Sequence, residues 1–295
     1  MESSIPRKVS FTGETDTGKW IMERAARSIK RLSLELGGSS PAIVCEDAEI
    51  DEAAKACVQR AFSNMGQICI SVNRIYVHNS VAEEFTTDLL RRTEGLRISD
   101  GLDPEVDLGP IFSEDQREKT EAHIADALEK GARVLFGGRR PEGEEFRRGF
   151  FFLPTVLDRM DHSMRMMREE TFGPVAPMMS FDTDDEAVRL ANDSRYGLAA
   201  YVFTADMTRA FSIAERLEAG SVGINTTNVI VPRAPFGGWK ESGIGRERSP
   251  TALREYMEEK HIRIGLKEDG FLSPLLGPPT SRFRPRRLCR LKLIR

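Results

Sequence analysis

The chain has 295 residues, 40% of them hydrophobic and 30% charged, the mix of a globular protein that can bury a core in one large or two modest domains. A net charge of −3 argues against nucleic acid or an anionic membrane as the main partner, and no apolar run reaches the ~18 residues of a membrane span. The opening "MESSIPRKVSF" lacks the apolar stretch of a signal peptide, and four cysteines in no zinc-binding pattern point to a reducing compartment, the cytoplasm, without a structural metal.

Helical and strand patterns alternate from residue 1 to 266, which predicts an α/β architecture. "KVSFTG" reads as a short strand ending in a glycine turn, Thr17 to Arg31 as the helix after it, and "SPAIVC" as the next strand. From Asp51, the positions Ala54, Cys57, Val58, Ala61, Phe62 and Met65 recur at helical spacing, which places Cys57 on a core stripe. Cys69 falls beyond that stripe, after Gly66, where the helix should stop. "NRIYVH" is the following strand.

Ser113 and Gln116 form a capping-box pattern for a helix that stops at Gly131, and "ARVLFGG" is a strand entering a glycine turn. Asp184 to Ser194 and Met207 to Glu218 read as helices, with "LAAYVFT" between them and "SVGIN" after. "PFGGWKESGIGRE" reads as loop, "LREYMEEK" as a helix and "HIRIGL" as a terminal strand. The last segment, rich in proline and arginine without any period, is expected to be a basic flexible tail carrying Cys289.

Cys69, between two isoleucines in "NMGQICISVNR", is either a small buried hydrophobe or a nucleophile. A cysteine hydrolase would recruit a histidine, yet His78, His123, His162 and His261 all lie away from any motif and read as surface or structural residues. Carboxylates are better placed. Glu35 in "LSLELGGSSP" is set among leucines after a helical segment, where burial would raise its pKa toward that of a general base; the alternative is a helix-terminal glutamate facing water. Glu170 in "MREETFGPV" sits similarly beside an aromatic and a Gly-Pro turn.

"FTGETDTG", "LELGGSSP", "GQICISVNR", "EETFGPV" and "PFGGWKESGIGRE" occur in that order, and together they resemble the NAD(P)-dependent aldehyde dehydrogenase superfamily over residues 8 to 266. The resemblance implies that Cys69 attacks the aldehyde, that its own N–H helps stabilise the thiohemiacetal oxyanion, and that hydride passes to the nicotinamide of NAD or NADP to leave a thioester. It implies that Glu35 activates the cysteine or the hydrolytic water. Glu170 would hold the nicotinamide ribose with Phe172 packing beside the ring, and Leu36 and Gly37 would touch the nicotinamide through backbone atoms. Gly13 and Glu14 would open the helix facing the pyrophosphate, although the family often has serine where Glu14 stands. Asn225 and Phe236 resemble positions lining the substrate side.

The same resemblance implies an aldehyde dehydrogenase-like catalytic domain with only a remnant of the dinucleotide-binding domain. Residues 1–37 would be that remnant, 38–237 the catalytic domain, 238–266 a return segment with an oligomerisation strand, and 267–295 the tail. The "NFP"-like and "KP"-type motifs that bring an oxyanion-hole asparagine and a ribose-binding lysine in longer members are absent, so the chain is expected to be N-terminally truncated, with a homo-oligomer formed by the full-length protein. "YGLAAYVFT" and "GRERS" are similar to succinate-semialdehyde dehydrogenases, whose carboxylate-binding arginine would fall at Ser63; Arg233 is the candidate substitute. Two other readings stand beside aldehyde oxidation: a non-catalytic structural or subunit-binding fragment, and an esterase using Cys69 without a cofactor.

Overall fold

The computed structural model describes residues 2–264, so the expected tail at 267–295, with Cys289, lies outside the described residues. Two parallel strands, β1 (Lys8–Thr12) and β2 (Arg31–Glu35), flank helix α1 (Thr15–Ala26). α1 buries Thr15, Gly18, Ile21 and Ala25, one stripe at three- and four-residue spacing. The helix ends at Ala26 rather than Arg31, because the chain must turn at Ile29 (φ 50°) to bring Arg31 level with Lys8. Glu35 therefore closes a strand, "RLSLE", and does not follow a helix as the sequence suggested.

A larger unit follows: β3 (Ser40–Val44), α2 (Ile50–Phe62), β4 (Val72–His78), α3 (Ala82–Glu94), α4 (Glu114–Glu129), β5 (Arg133–Phe136), β6 (Thr155–Asp158), β7 (Val175–Phe181), α5 (Asp184–Asn192), β8 (Tyr196–Gly197), β9 (Ala199–Phe203), α6 (Met207–Arg216) and β10 (Ser221–Ile224). Seven of these strands form a sheet in the order β10-β9-β3-β4-β7-β6-β5, parallel except at the β5–β6 edge. Every residue of β3 and β9 is buried, as near-continuous apolar strands are when helices cover both faces. α2 and α5 both pack against β3, β4 and β7. The stripe Ala54, Cys57, Val58, Ala61, Phe62 and Met65 is buried throughout.

The chain then returns through β11 (Trp239–Lys240), which pairs with β8, and β12 (Gly243–Ile244), which joins the small sheet beside β2. The helix expected over "LREYMEEK" is instead α7 (Ser249–Ala252) and a 3₁₀ turn over Leu253–Tyr256. Leu253 and Tyr256 are both largely exposed, so no buried stripe stabilises a longer helix. Residues 261–264 of the expected strand "HIRIGL" pair with no strand among the described residues, and 265–266 lie outside them. No described helix is long and apolar enough to cross a membrane.

Strands β3, β4 and β7 are adjacent and parallel, so the segments that enter them arrive at one end of the sheet. Those segments carry Gly37 and Gly38, Cys69, and Glu170 to Phe172. β2 ends at the same place, and the Leu36 N–H donates to the Ser242 carbonyl at 2.9 Å, which holds the crossing between the two sheets.

Candidate active site

Cys69 follows a turn that the sequence builds against ordinary backbone preference. α2 stops at Phe62, and Asn64, Met65 and Gly66 then take φ of 51°, 58° and 69°. Asn64 tolerates the left-handed region, but Met65 adopts it only because its surroundings impose it; such strain clusters at functional sites. Gly66 is required twice over, since a Cβ there would stand 2.1 Å from the Gly173 carbonyl oxygen. The Asn64 amide donates to the Gln67 carbonyl (3.1 Å) and the Gln67 amide to the Asn64 carbonyl (2.9 Å), which closes the turn. Beyond Cys69, the Tyr201 hydroxyl donates to the Ile70 carbonyl at 2.6 Å.

Three acidic protons meet here. Burial pushes the Cys69 thiol up to about 11, with the Glu170 and Glu35 charges adding to the rise and the N–H groups of Cys69 and Ile70 opposing it. Burial likewise pushes the Glu35 carboxyl up to about 8, helped by Glu247 and opposed by Arg246. Glu35 is 4% exposed, and its Oε2 is a buried oxygen without a hydrogen-bond partner. Glu170 is pushed up to about 7 by burial, while the Gly38 N–H and the Lys119 charge pull it down. The thiol is thus protonated at neutral pH, and the buried Glu35 is a carboxyl that changes charge close to neutrality.

Gly38 joins these groups. Its N–H donates to Glu170 Oε1 at 2.9 Å, and a Cβ there would fall 2.1 Å from the Cys69 carbonyl oxygen. The Gly37 N–H donates to Thr15 Oγ1 at 3.2 Å, and a Cβ on Gly37 would meet Glu170 Oε2 at 2.5 Å. Bare backbone is what the crowding around Glu170 and Cys69 allows. The Leu36 side chain is buried against Gly18 of α1.

Most of the other expected residues have contacts within the fold. The Gly13 N–H donates to the Glu35 carbonyl at 3.0 Å, which engages it within the fold. Glu14 is the N-cap of α1 but makes no side-chain cap bond, and its charge raises the Glu170 pKa. Phe172 takes φ 54° in the same turn as Glu170. The Asn225 amide is used within the fold: its Oδ1 accepts the Thr204 N–H (3.0 Å) and its Nδ2 donates to the Thr204 carbonyl (2.9 Å). Phe236 is buried and exchanges backbone bonds with Glu247. Ser63 and Arg233 are exposed. His78, His123 and His162 bond to Ser80, Thr171 and Asp193, respectively. Sequence reasoning passed over Gly38, Arg246 and Glu247, although each stands inside a quoted motif.

For a dinucleotide, the residues present fit the nicotinamide end. Gly37 and Gly38 present backbone without side chains beside Cys69, and Glu35 keeps an orphaned buried oxygen. Among the described residues no group of three or more His, Cys, Asp or Glu side chains could hold a metal ion.

Comparison with known proteins gives the family. Residues 1–262 match the sequence profile described as the aldehyde dehydrogenase family. A probable succinate-semialdehyde dehydrogenase (NADP+) of Sinorhizobium fredii is 47% identical over 259 residues, which cover 88% of this chain and 52% of that protein. The succinate-semialdehyde dehydrogenase (NADP+) GabD of Escherichia coli K12 is 46% identical over 262 residues, 89% of this chain and 54% of that protein. A crystal structure of betaine aldehyde dehydrogenase from Staphylococcus aureus in complex with NAD+ superposes with a TM-score of 0.82 at 40% identity, over 85% of this chain and 50% of that one. The chain spans about half the length of the curated relatives it matches.

Proposed function

The chain belongs to the aldehyde dehydrogenase family, and from that premise we propose that it carries the nucleophile and general base for oxidising an aldehyde to a carboxylic acid. The observation that supports this most directly is the meeting of Cys69, Glu35 and Glu170 at the joined ends of β2, β3, β4 and β7. NAD or NADP, when bound, supplies the hydride acceptor.

Cys69 is the nucleophile. With a thiol near 11, free thiolate is scarce at neutral pH, so proton loss accompanies attack on the aldehyde carbon. Glu35 in its carboxylate form takes that proton; its own value of about 8 is high enough for a base and low enough to ionise in mild alkali. The Cys69 N–H stands by the oxygen that becomes negative, and such a donor is typically worth ~3–4 kcal/mol in the transition state. Once the hydride has left, the carbonyl carbon remains on the sulfur as a thioester. Glu35 passes the thiol proton on to solvent, and its restored carboxylate then draws a proton from the water that hydrolyses the thioester. Leu36 to Gly38, Glu170 and Phe172 orient the nicotinamide end, and Glu14 and Gly13 stand on the pyrophosphate side.

Succinate semialdehyde, or another aliphatic aldehyde, is the substrate this reading favours, with Asn225, Phe236 and Arg233 on the substrate side. We place the activity in the cytoplasm, in a homo-oligomer. The direct test is to incubate the chain with a carboxylic ester activated by a good leaving group and to locate the acyl group by mass spectrometry. Acyl transfer to Cys69, abolished in Cys69→Ala, is expected; modification elsewhere with Cys69 bare would overturn the assignment.

A further inference from the structure

Thr171, between Glu170 and Phe172, is completely buried and is gripped by α4. The Gln116 amide donates to its carbonyl at 2.7 Å, and His123 Nδ1 lies 3.1 Å from its Oγ1. One turn away on the same helix, Thr120 packs against Gly173, where a Cβ would fall 2.3 Å from the Thr120 Oγ1. On its other flank the Gly173 carbonyl abuts Gly66, in the turn that delivers Cys69. The clamped segment holds Phe172 at φ 54°, a conformation that a bulky residue keeps only when its neighbours over-determine it.

We propose that His123 and Thr171 are positioning residues: their contact fixes the turn so that the Glu170 carboxylate stays on the Gly38 N–H beside Cys69. The proposal rests on the reading of Cys69 as the nucleophile. His123 is fully buried, its Nε2 faces Glu169 Oε2 at 3.3 Å, and Glu169 is in turn bonded to Arg165. Burial, with Arg165 and Lys119, pushes the imidazole down to about 4 against the pull of Glu169. The ring is therefore neutral wherever Glu35 and Cys69 change charge, and it offers one donor and one acceptor that do not alter as the site titrates. A leucine would fill the same space without fixing the Thr171 hydroxyl.

The Cys69 thiol reports where Glu170 is, because the Glu170 charge raises its pKa. The experiment is the pH profile of Cys69 alkylation by iodoacetamide, resolved by site with mass spectrometry, in the 295-residue protein. His123→Leu and Thr171→Val are each expected to move the profile to lower pH and to raise the rate at mildly alkaline pH several-fold, as Glu170 leaves the sulfur. His123→Asn, which retains a polar atom near the Nδ1 position, should stay close to the unaltered protein. In a Glu170→Gln background neither substitution should move the profile further. Thr171→Val keeps the side-chain shape, so a readable variant remains if His123→Leu does not fold. An unchanged profile in folded variants, or an equal shift without the Glu170 charge, would overturn the proposal. Failure of Cys69 to label ahead of Cys45 and Cys57 in the unaltered protein would instead overturn the nucleophile reading beneath it.

Discussion

The Gly38 N–H donates to Glu170 Oε1 at 2.9 Å while the α-carbon of the same residue lies against the Cys69 carbonyl. One residue thus sets the separation between an acid and the proposed nucleophile, and it does so by having no side chain.

Gly38→Ala should therefore damage the site directly. The added Cβ would sit 2.1 Å from a backbone oxygen, which cannot swing away as a side chain can. Overpacking of this kind typically costs ~1–3 kcal/mol. Gly37→Ala meets only the ends of Glu170 and Thr15, so its effect should be milder. Thermal melts and Cys69 acylation rates of the two variants give the ranking, and an unimpaired Gly38→Ala protein would show that the contact does not matter.

Much of this was legible in the residues, and the exceptions have physical causes. The α2 stripe is strong because Ala54, Cys57, Val58, Ala61 and Phe62 agree on one period, but the helix ends at Phe62, and Met65 lies beyond it in the left-handed turn before Gly66. "RLSLE" is harder: five residues of alternation directly after a helical run give no clear boundary, so the sequence runs the helix on to Arg31 and shows no strand before Glu35. The convergence of Glu35, Cys69 and Glu170 depends on the parallel order β3-β4-β7, a long-range pairing that no local window contains. The five motifs gave the site only through resemblance. The bonds of the Asn225 amide to the Thr204 backbone, in turn, are visible only in the fold.

The raised Glu35 pKa has a consequence for stability. A carboxyl near 8 in the fold and about 4.5 when free favours the folded state in its protonated form. That contribution is fully present below the unfolded value and is lost as pH rises through the folded one, at about 1.4 kcal/mol per unit of difference. Glu35→Gln cannot ionise, so it should gain stability relative to the unaltered protein between pH 6 and pH 9. Urea titrations of both proteins at those two values measure the difference; a gap that stays constant would mean that Glu35 is not buried as a neutral acid.

Thiol reactivity should follow the order of burial. Cys45 is pushed up to about 12, and Cys57 is fully buried and higher still, whereas Cys69 stands near 11 and is partly exposed. With dilute iodoacetamide at pH 8, Cys69 should be carboxamidomethylated well before Cys45 and Cys57. Peptide mapping of partially labelled samples reads the order directly, and earlier labelling of Cys57 in folded protein would overturn the reading of Cys69 as the nucleophile.

Glu35 should matter more for losing an acyl group from Cys69 than for gaining it. An activated ester carries its own leaving group, so acylation needs only that the thiol proton depart, and solvent base can share that task as pH rises. Thioester hydrolysis needs a water deprotonated beside the acyl carbon, and Glu35 is a buried carboxyl with an unpartnered oxygen. General-base help of this kind is worth about 10²–10⁴ in rate. Glu35→Gln is therefore expected to show a burst of leaving group equal to one per Cys69, followed by turnover slowed on that scale. The acyl-enzyme should then persist long enough to be weighed intact. Loss of the burst in step with the slow phase would assign Glu35 to thiol activation instead and leave another group to deliver the water.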